Sequence, residues 1–588
     1  MKEKVQNFVQ DLHNSQYDTE FYKTLIESDR MIIDHKREIY SLNGQWNFSI
    51  DQYDTCLRAK WYLEETEMDG FRKPVDFDYD HWELMNVPSC WNTENERYMY
   101  YEGPAIYTRK FNFTKKEEKR TFLKFGAIAQ EGKIFLNKTF LGTHKGGSTP
   151  FYIEVTDFLK KENRLLVVVD NTRKLSSVPS VNTDWFNYGG IYRSVELIST
   201  PLTFIKDYTC RLDENSTKRV CFDIMLSDKA QGEVYITIDE LKIKEAIKMI
   251  DGKGTVTVEN ENILLWEPNN PKLYSIELRY KDDIIEDKVG FRTIETQGTD
   301  IFLNGAPILL KGICIHEESV KNGKAVTEAE VRENLSLAKE LGCNYVRLAH
   351  YPHSEIVARI ADEVGMLLWE EIPVYWWMDF TNPMTFEDAK NQLSELIHRD
   401  KNRASVIIWS VGNENADTDE RFSFMRGLVE TVKELDPTRL VSAACLIDHV
   451  ENKINDRLQE VLDIIAVNEY YGWYEPDFNK FIKILDNSSP NKPVIISEFG
   501  GDGASGQFGT PDDLGTESCQ DDIYRKQIEM FKKTPYIKGT SPWILFDFRC
   551  PRRHGKYHNG YNIKGLLNAD KTHKKIAFYR MEEYYNSF

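Results

Sequence analysis

The 588-residue chain carries 75 basic against 94 acidic side chains, a formal charge of −19, and is 41% apolar and 12% aromatic. That length exceeds what one hydrophobic core serves, so several domains are expected, and the acidic balance disfavours nucleic acid or an anionic membrane as partner. No apolar run is long enough to span a bilayer, the N-terminus has charges but no apolar signal core, and the nine scattered cysteines form no CxxC or Cys/His zinc spacing; the expectation is a reduced, cytoplasmic protein.

The first 36 residues are polar and read as a surface extension. Up to about residue 200, short runs alternate apolar and polar residues between turn signals, among them "GQWNFSID", "YTRKFNF", "TFLKFGAI", "RLLVVVDN" and "YRSVELIS". This is the pattern of an antiparallel β-sandwich. Residues 201–295 repeat it in a smaller unit, "RVCFDIML", "GEVYITID", "GTVTVENE" and "YSIELRYK", which suggests an immunoglobulin-like sandwich.

From residue 296 to 588 the rhythm changes to apolar runs separated by helical patterns. The runs cover 308–316, 343–352, 365–373, 405–414, 439–446, 463–474, 493–500 and 540–548. Between two of them, Thr327 and Glu330 stand at capping-box spacing. Open doubly wound sheets alternate in this way too, but eight strand–helix units weigh towards a closed TIM barrel, (β/α)8.

Function in such a barrel sits at the C-terminal strand ends, which here supply His316, Glu317, Arg347, His350, Glu370, Glu371, Asn413, Glu414, Asn468, Tyr470, Glu498, Trp543 and Asp547. Glu414 closes the fourth run and Glu498 the seventh, nearly opposite each other around a ring of eight. Two facing carboxylates suit glycoside hydrolysis, one neutral to protonate the leaving oxygen and one ionised. A single strand-end glutamate is more often a satisfied structural carboxylate; two at these positions, one preceded by Asn, favour chemistry. His316 and His350 find no third ligand at metal-binding spacing, so no catalytic metal is expected.

"WSVGNEN" and "ISEFG" resemble the acid/base and nucleophile motifs of family 2 glycoside hydrolases. "NGQWNFSI", "GPAIYTRKF", "GGSTPFYIEVTDFL", "DWFNYGGIYRSVEL" and "GICIHEES" followed by "RLAHYPHSE" resemble, in order, that family's jelly-roll, sandwich and barrel segments. The resemblance implies a jelly-roll sugar-binding domain over residues 1–200, an immunoglobulin-like sandwich over 201–295 and a catalytic barrel over 296–588. It also implies a retaining mechanism without cofactor, Glu498 as nucleophile, Glu414 as general acid and then base, carboxylates about 5 Å apart, and Asn413 on the sugar 2-hydroxyl. Family members are often tetramers, so a homo-oligomer is expected.

The catalytic pair does not name the sugar. In "HNGYNIKGLLNADK", Asn562 and Lys564 match the Asn-x-Lys motif of the family's β-glucuronidases, to which resemblance assigns the substrate carboxylate. A uronic acid needs a cation and a donor at C6, which this pair provides; alone, an NxK is equally a solvated tail. Asn468, Tyr470 and Tyr474 in "NEYYGWY", Asp184 in "TDWFNYGG", His350 and Trp543 match further pocket residues, each with core packing as its plain alternative. The expected activity is therefore exo-hydrolysis of glucuronides or glucuronate-ended oligosaccharides; β-galacturonidase, β-galactosidase and a non-catalytic carbohydrate-binding protein are the alternatives. Two departures from the pattern stand out. His558 occupies the place of an arginine found in many relatives, with Arg549, Arg552, Arg553 and Lys556 nearby as substitutes. No long loop follows the third run, so an open entrance is expected, with Trp376 and Trp377 as stacking platforms or, equally, as core residues.

Overall fold

The computed structural model describes residues 25–27, 31–65, 67–68, 71–72 and 77–588; the extension expected over the first 36 residues lies largely outside them. Residues 38–201 form a jelly-roll sandwich of a four-stranded and a six-stranded antiparallel sheet. Alternation sets the packing: Trp46, Phe48, Tyr107, Leu165, Val167 and Val169 turn inward and fill the space between the sheets. Residues 205–289 form the second sandwich, of three and four strands. Strand Tyr274–Tyr280 shows the period of two, with Tyr274, Ile276, Leu278 and Tyr280 buried.

The barrel closes through eight parallel strands: β1 (Leu310–Ile315), β2 (Tyr345–Leu348), β3 (Leu367–Glu371), β4 (Val406–Asn413), β5 (Leu440–Cys445), β6 (Ile465–Asn468), β7 (Val494–Glu498) and β8 (Ile537–Thr540). Every residue of β4 is buried, because one side faces the barrel interior and the other the helices. Each buried Val, Leu or Ile side chain there contributes roughly 1.5–3 kcal/mol. The expected capping box is present: the Thr327 hydroxyl accepts from the Glu330 amide at 3.3 Å and the Thr327 amide donates to the Glu330 carboxylate at 2.7 Å, opening helix Glu328–Glu340.

One strand lies earlier than the apolar run suggests. β8 ends at Thr540, and the run expected as a strand over 540–548 is mostly irregular chain that continues it between β7 and β1. Its backbone still finds ladder partners: Ser541 N donates to Ile496 O at 2.8 Å, Trp543 N to Phe499 O at 2.8 Å, and Leu545 N to Cys314 O at 3.0 Å. Continuous burial makes this segment as apolar as a strand.

Polar contacts and ion pairs clamp both sandwiches to the barrel. Glu395, on helix Pro383–Asp400, meets His144 of the jelly roll at 3.0 Å, and Glu317 meets Arg193 at 2.7 Å. Asp287 of the second sandwich binds Arg359 at 2.9 Å, and also Arg403. All nine cysteines are free, eight of them buried. No helix of the described residues is long and apolar enough to cross a membrane.

Candidate active site

The fourth strand ends because its backbone turns over. Glu414 adopts φ 52°, a left-handed conformation that costs a non-glycine residue about 1–3 kcal/mol and concentrates at functional positions. Just before it, the pairing of β4 with β5 shifts from Ser410↔Ser442 to Asn413↔Ala444, a bulge that re-aims the strand tip. The tip is then fixed on both sides: Asn413 N donates to Val374 O at 2.9 Å, Trp376 N to Asn413 O at 2.9 Å, and Glu414 N to Ala444 O at 2.8 Å. The half-buried Glu414 carboxylate accepts from the Trp376 indole N–H at 2.8 Å.

Glu498 ends β7, is 5% exposed, and takes two donors. Arg347 Nη1 lies 2.8 Å from Oε1, and the Tyr470 hydroxyl donates to Oε2 at 2.7 Å. Burial pushes the Glu498 carboxyl up to about 7; Arg347 opposes that shift, and the charge of Glu414 adds to it. The two carboxylates therefore interact electrostatically at the barrel mouth, the arrangement in which a pair shares one proton.

Arg347, fully buried, organises this centre. Besides Glu498 it holds Glu371 at 3.0 and 3.1 Å and Asn413 Oδ1 at 2.9 Å. Asn468 Nδ2 also donates to Asn413 Oδ1, at 3.1 Å. With its oxygen doubly occupied, Asn413 turns its NH2 towards the cleft, where Nδ2 stands 3.5 Å from Glu414 Oε2. His350 pairs with Glu371 through Nδ1 at 2.8 Å, has its pKa lowered by burial, and stacks on Trp543 with ring centres 4.9 Å apart.

A basic cluster lies on the other wall. Lys564, 2% exposed, donates to Asp502 Oδ1 at 2.6 Å and to the Tyr474 hydroxyl at 3.2 Å. Asp502 is divided between Lys564 and His558, whose Nε2 lies 2.7 Å from Oδ2; although burial works the other way, these two partners hold its carboxyl down at about 2. Asp184 reaches in from the jelly-roll segment between strands Glu162–Asp170 and Gly190–Ile191. Its Oδ2 accepts from Arg553 at 2.5 Å and from Asn562 Nδ2 at 3.3 Å. Arg553 Nη1 also approaches the Tyr474 hydroxyl, at 3.5 Å, so two cations meet one phenol; burial would raise the Tyr474 pKa, but Lys564 and Arg553 outweigh it and lower it.

The residues matched to the pocket thus lie in one connected region: Glu414, Asn413, Glu498, Asn468, Tyr470, His350 and Trp543 around the carboxylates, and Asp184, Asn562, Lys564 and Tyr474 around the basic cluster. Of the other strand-end candidates, Glu317 is taken by Arg193, Glu370 faces Arg399 and Asp547 is taken by Lys575. Of the candidate substitutes near His558, Arg553 joins this region, and Arg552 borders it, with Nε 3.7 Å from Asp184 Oδ1 and its guanidinium 5.3 Å from the centre of the Trp376 ring. Arg549 instead donates to the Tyr188 hydroxyl and to Val320 O, and Lys556 lies over the Tyr557 ring. Sequence reasoning passed over the organising roles of Arg347 and Glu371, and missed the anchor Asp502. A charged pair inside otherwise apolar strands was the available signal for the first two. Asp502 had none, because its partner lies 62 residues later. Trp376, read as a stacking platform, is bound to Glu414, whereas Trp377 is 55% exposed. Among the described residues, no group of three or more His, Cys, Asp or Glu side chains is placed to hold a metal.

The fold and this site define a class. The description "Glycosyl hydrolases family 2, TIM barrel domain" matches residues 294–588, and the family's sugar-binding and central domains match 39–201 and 203–292. The chain belongs to glycosyl hydrolase family 2 and is a glycoside hydrolase. Within the family it is 28% identical to a β-glucuronidase of Paenibacillus borealis, over 92% of this chain and 96% of that protein. Among solved structures it resembles a β-glucuronidase of an uncultured Clostridium species, with TM-score 0.83 and 26% identity over 95% of this chain and all of that one. It also resembles a β-galacturonidase of Eisenbergiella tayi, with TM-score 0.81 and 25% identity over 95% and 98% of the two chains.

Proposed function

We propose that this glycoside hydrolase removes terminal β-D-glucuronate from small glucuronides and oligosaccharide ends with retention of configuration. The observation that carries the reading is the buried Lys564 ammonium, which shares the Tyr474 hydroxyl with Arg553 and lies 5.8 Å from the ring centre of Tyr470, the residue whose hydroxyl holds Glu498. A buried cation there matches the C6 carboxylate of a uronic acid and gives a neutral hexose nothing in return. Asp502 takes one of three Lys564 donors and fixes the side chain, leaving the others for substrate and the Tyr474 hydroxyl. β-Glucuronidase relatives spanning nearly the whole chain support the same sugar.

Glu498 attacks C1 while the Glu414 carboxylic acid gives its proton to the leaving oxygen; the C1–O bond to the aglycone breaks and a glycosyl ester forms. Glu414, now ionised, takes a proton from water, which attacks C1, breaks the ester and frees glucuronate. Asn413, its amide orientation fixed by Arg347 and Asn468, donates to the 2-hydroxyl. The chemistry uses only side chains.

The test is a panel of aryl β-glucuronide, β-galacturonide and β-galactoside at equal concentration, with wild type and Lys564→Ala. Glucuronide should be hydrolysed fastest. Lys564→Ala should lose about 10²- to 10³-fold in kcat/KM on it, the range for truncating one partner of a buried charge pair, with little change on the galactoside. A galacturonide rate above the glucuronide rate would select the epimeric acid instead, the reading favoured by the similarity to the Eisenbergiella enzyme.

A further inference from the structure

Between the jelly roll and the barrel lies a second group of cations that the reaction does not use. Lys324, on the loop after β1, is 9% exposed; its Nζ donates to Ser148 Oγ at 3.2 Å and lies 3.5 Å from the centre of the Tyr351 ring. Arg173, from the jelly-roll segment that also carries Asp184, donates through Nη1 to the Thr183 hydroxyl and lies over Trp185 at 5.4 Å. Its buried Nε finds no hydrogen-bond partner. Both side chains line one cavity of about 20 Å³, together with Ser148 and Gln130.

Neither cation has an ion-pair partner among the described residues. The carboxylate that acts most on Lys324, Glu317, already receives Arg193 Nη2 at 2.7 Å and the Ser354 amide at 2.6 Å. Burial pushes Lys324 down to about 7 and Arg173 to about 10, and the Arg173 charge is among those that lower Lys324. Two like charges lining one cavity, without a counter-charge, are costly to bury.

We propose that this cavity is a binding site for a single monoatomic anion, chloride, held between the Lys324 ammonium and the Arg173 guanidinium. A cavity needs about 10–15 Å³ to take one water-sized sphere. The space between the two side chains therefore suits a small anion. Chloride would accept from the unpartnered Nε, from Nζ and from the Ser148 hydroxyl, and would supply the missing charge. The ion would brace the wall of the candidate active site, since Trp185 packs 5.6 Å from His350 and 4.9 Å from Tyr375, and the Tyr351 hydroxyl lies 3.1 Å from His316 Nδ1.

The experiment is thermal unfolding of the full chain at constant ionic strength as chloride replaces gluconate, for wild type, Lys324→Met and Arg173→Met, with anomalous scattering from crystals grown in bromide. In wild type the midpoint should rise with chloride, each tenfold increase beyond half-saturation multiplying the weight of the folded state about tenfold. The rise should vanish in either variant, and a bromide peak should lie within contact of Lys324 Nζ and Arg173. A midpoint independent of chloride in wild type, a rise that survives in both variants, or bromide density absent from this cavity would overturn the proposal. If one variant fails to fold, the other and the bromide peak decide.

Discussion

Glu498 sits under opposing influences whose balance can be read in a pH profile. Burial and the Glu414 charge favour its protonated form, Arg347 and the Tyr470 hydroxyl its anion, and the balance leaves it at about 7. A nucleophile must be ionised, so kcat/KM should fall as pH drops through that value, because the acid limb reports the free enzyme's essential base. Glu414→Gln removes a negative neighbour, which favours ionisation, so the limb should move to lower pH. With an aryl leaving group good enough to depart unprotonated, the variant keeps enough rate to measure it. An acid limb unmoved in Glu414→Gln would mean that the two carboxylates do not share a field. Type and strand-end position announced the carboxylate pair and its neighbours, whereas Asp184, Tyr474, Asn562 and Lys564 were legible only through the family resemblance. Arg347 and Asp502 act through other side chains, and a partner distant in sequence leaves no local pattern.

At the scale of elements, the tip of β4 shows how a core strand becomes a platform. Alternation and burial made the barrel strands visible as apolar runs, but the bulge at Ser410–Asn413 and the left-handed Glu414 depend on neighbours, not on sequence period. The misplaced β8 has the same origin, since an apolar run records burial and a barrel mouth can bury irregular chain. Gly412 makes the turn at β4 possible: a Cβ there would stand 3.0 Å from Val374 O, 2.7 Å from Asn415 Oδ1 and 2.6 Å from the Met425 methyl. Val374 O is also the acceptor that holds the Asn413 amide. Gly412→Ala should therefore cost about 1–3 kcal/mol of stability through overpacking, while misplacing Asn413 and Glu414 enough to lose roughly 10²-fold in kcat. Unfolding curves and steady-state kinetics on one preparation check both. A variant as active as wild type would show that the tip is held from elsewhere.

The whole molecule is a barrel whose binding wall is completed by another domain. Asp184 belongs to the jelly roll yet accepts from Arg553 and Asn562 of the barrel's last loop, so the seating of the sandwich sets the geometry of the basic cluster. That seating rests on polar contacts along the whole interface, among them Lys124 with Glu355 at 3.2 Å, Arg193 with Glu317 at 2.7 Å and the group around Glu395. Glu395 is buried and receives His144 and, at 2.5 Å, the Thr149 hydroxyl, both from the sandwich. Glu395→Ala leaves these two groups buried without their acceptor, at about 1–3 kcal/mol each. Glu414 and Glu498, both on barrel strands, keep their anchors through Arg347, Trp376 and the barrel hydrogen bonds. The expected outcome is a split: KM for glucuronide rises several-fold as Asp184 loosens, kcat changes little, and calorimetry shows the sandwich unfolding in a separate, earlier transition. If kcat fell with KM unchanged, the sandwich would be acting on the carboxylate pair itself, and the division of labour between the two walls would have to be redrawn.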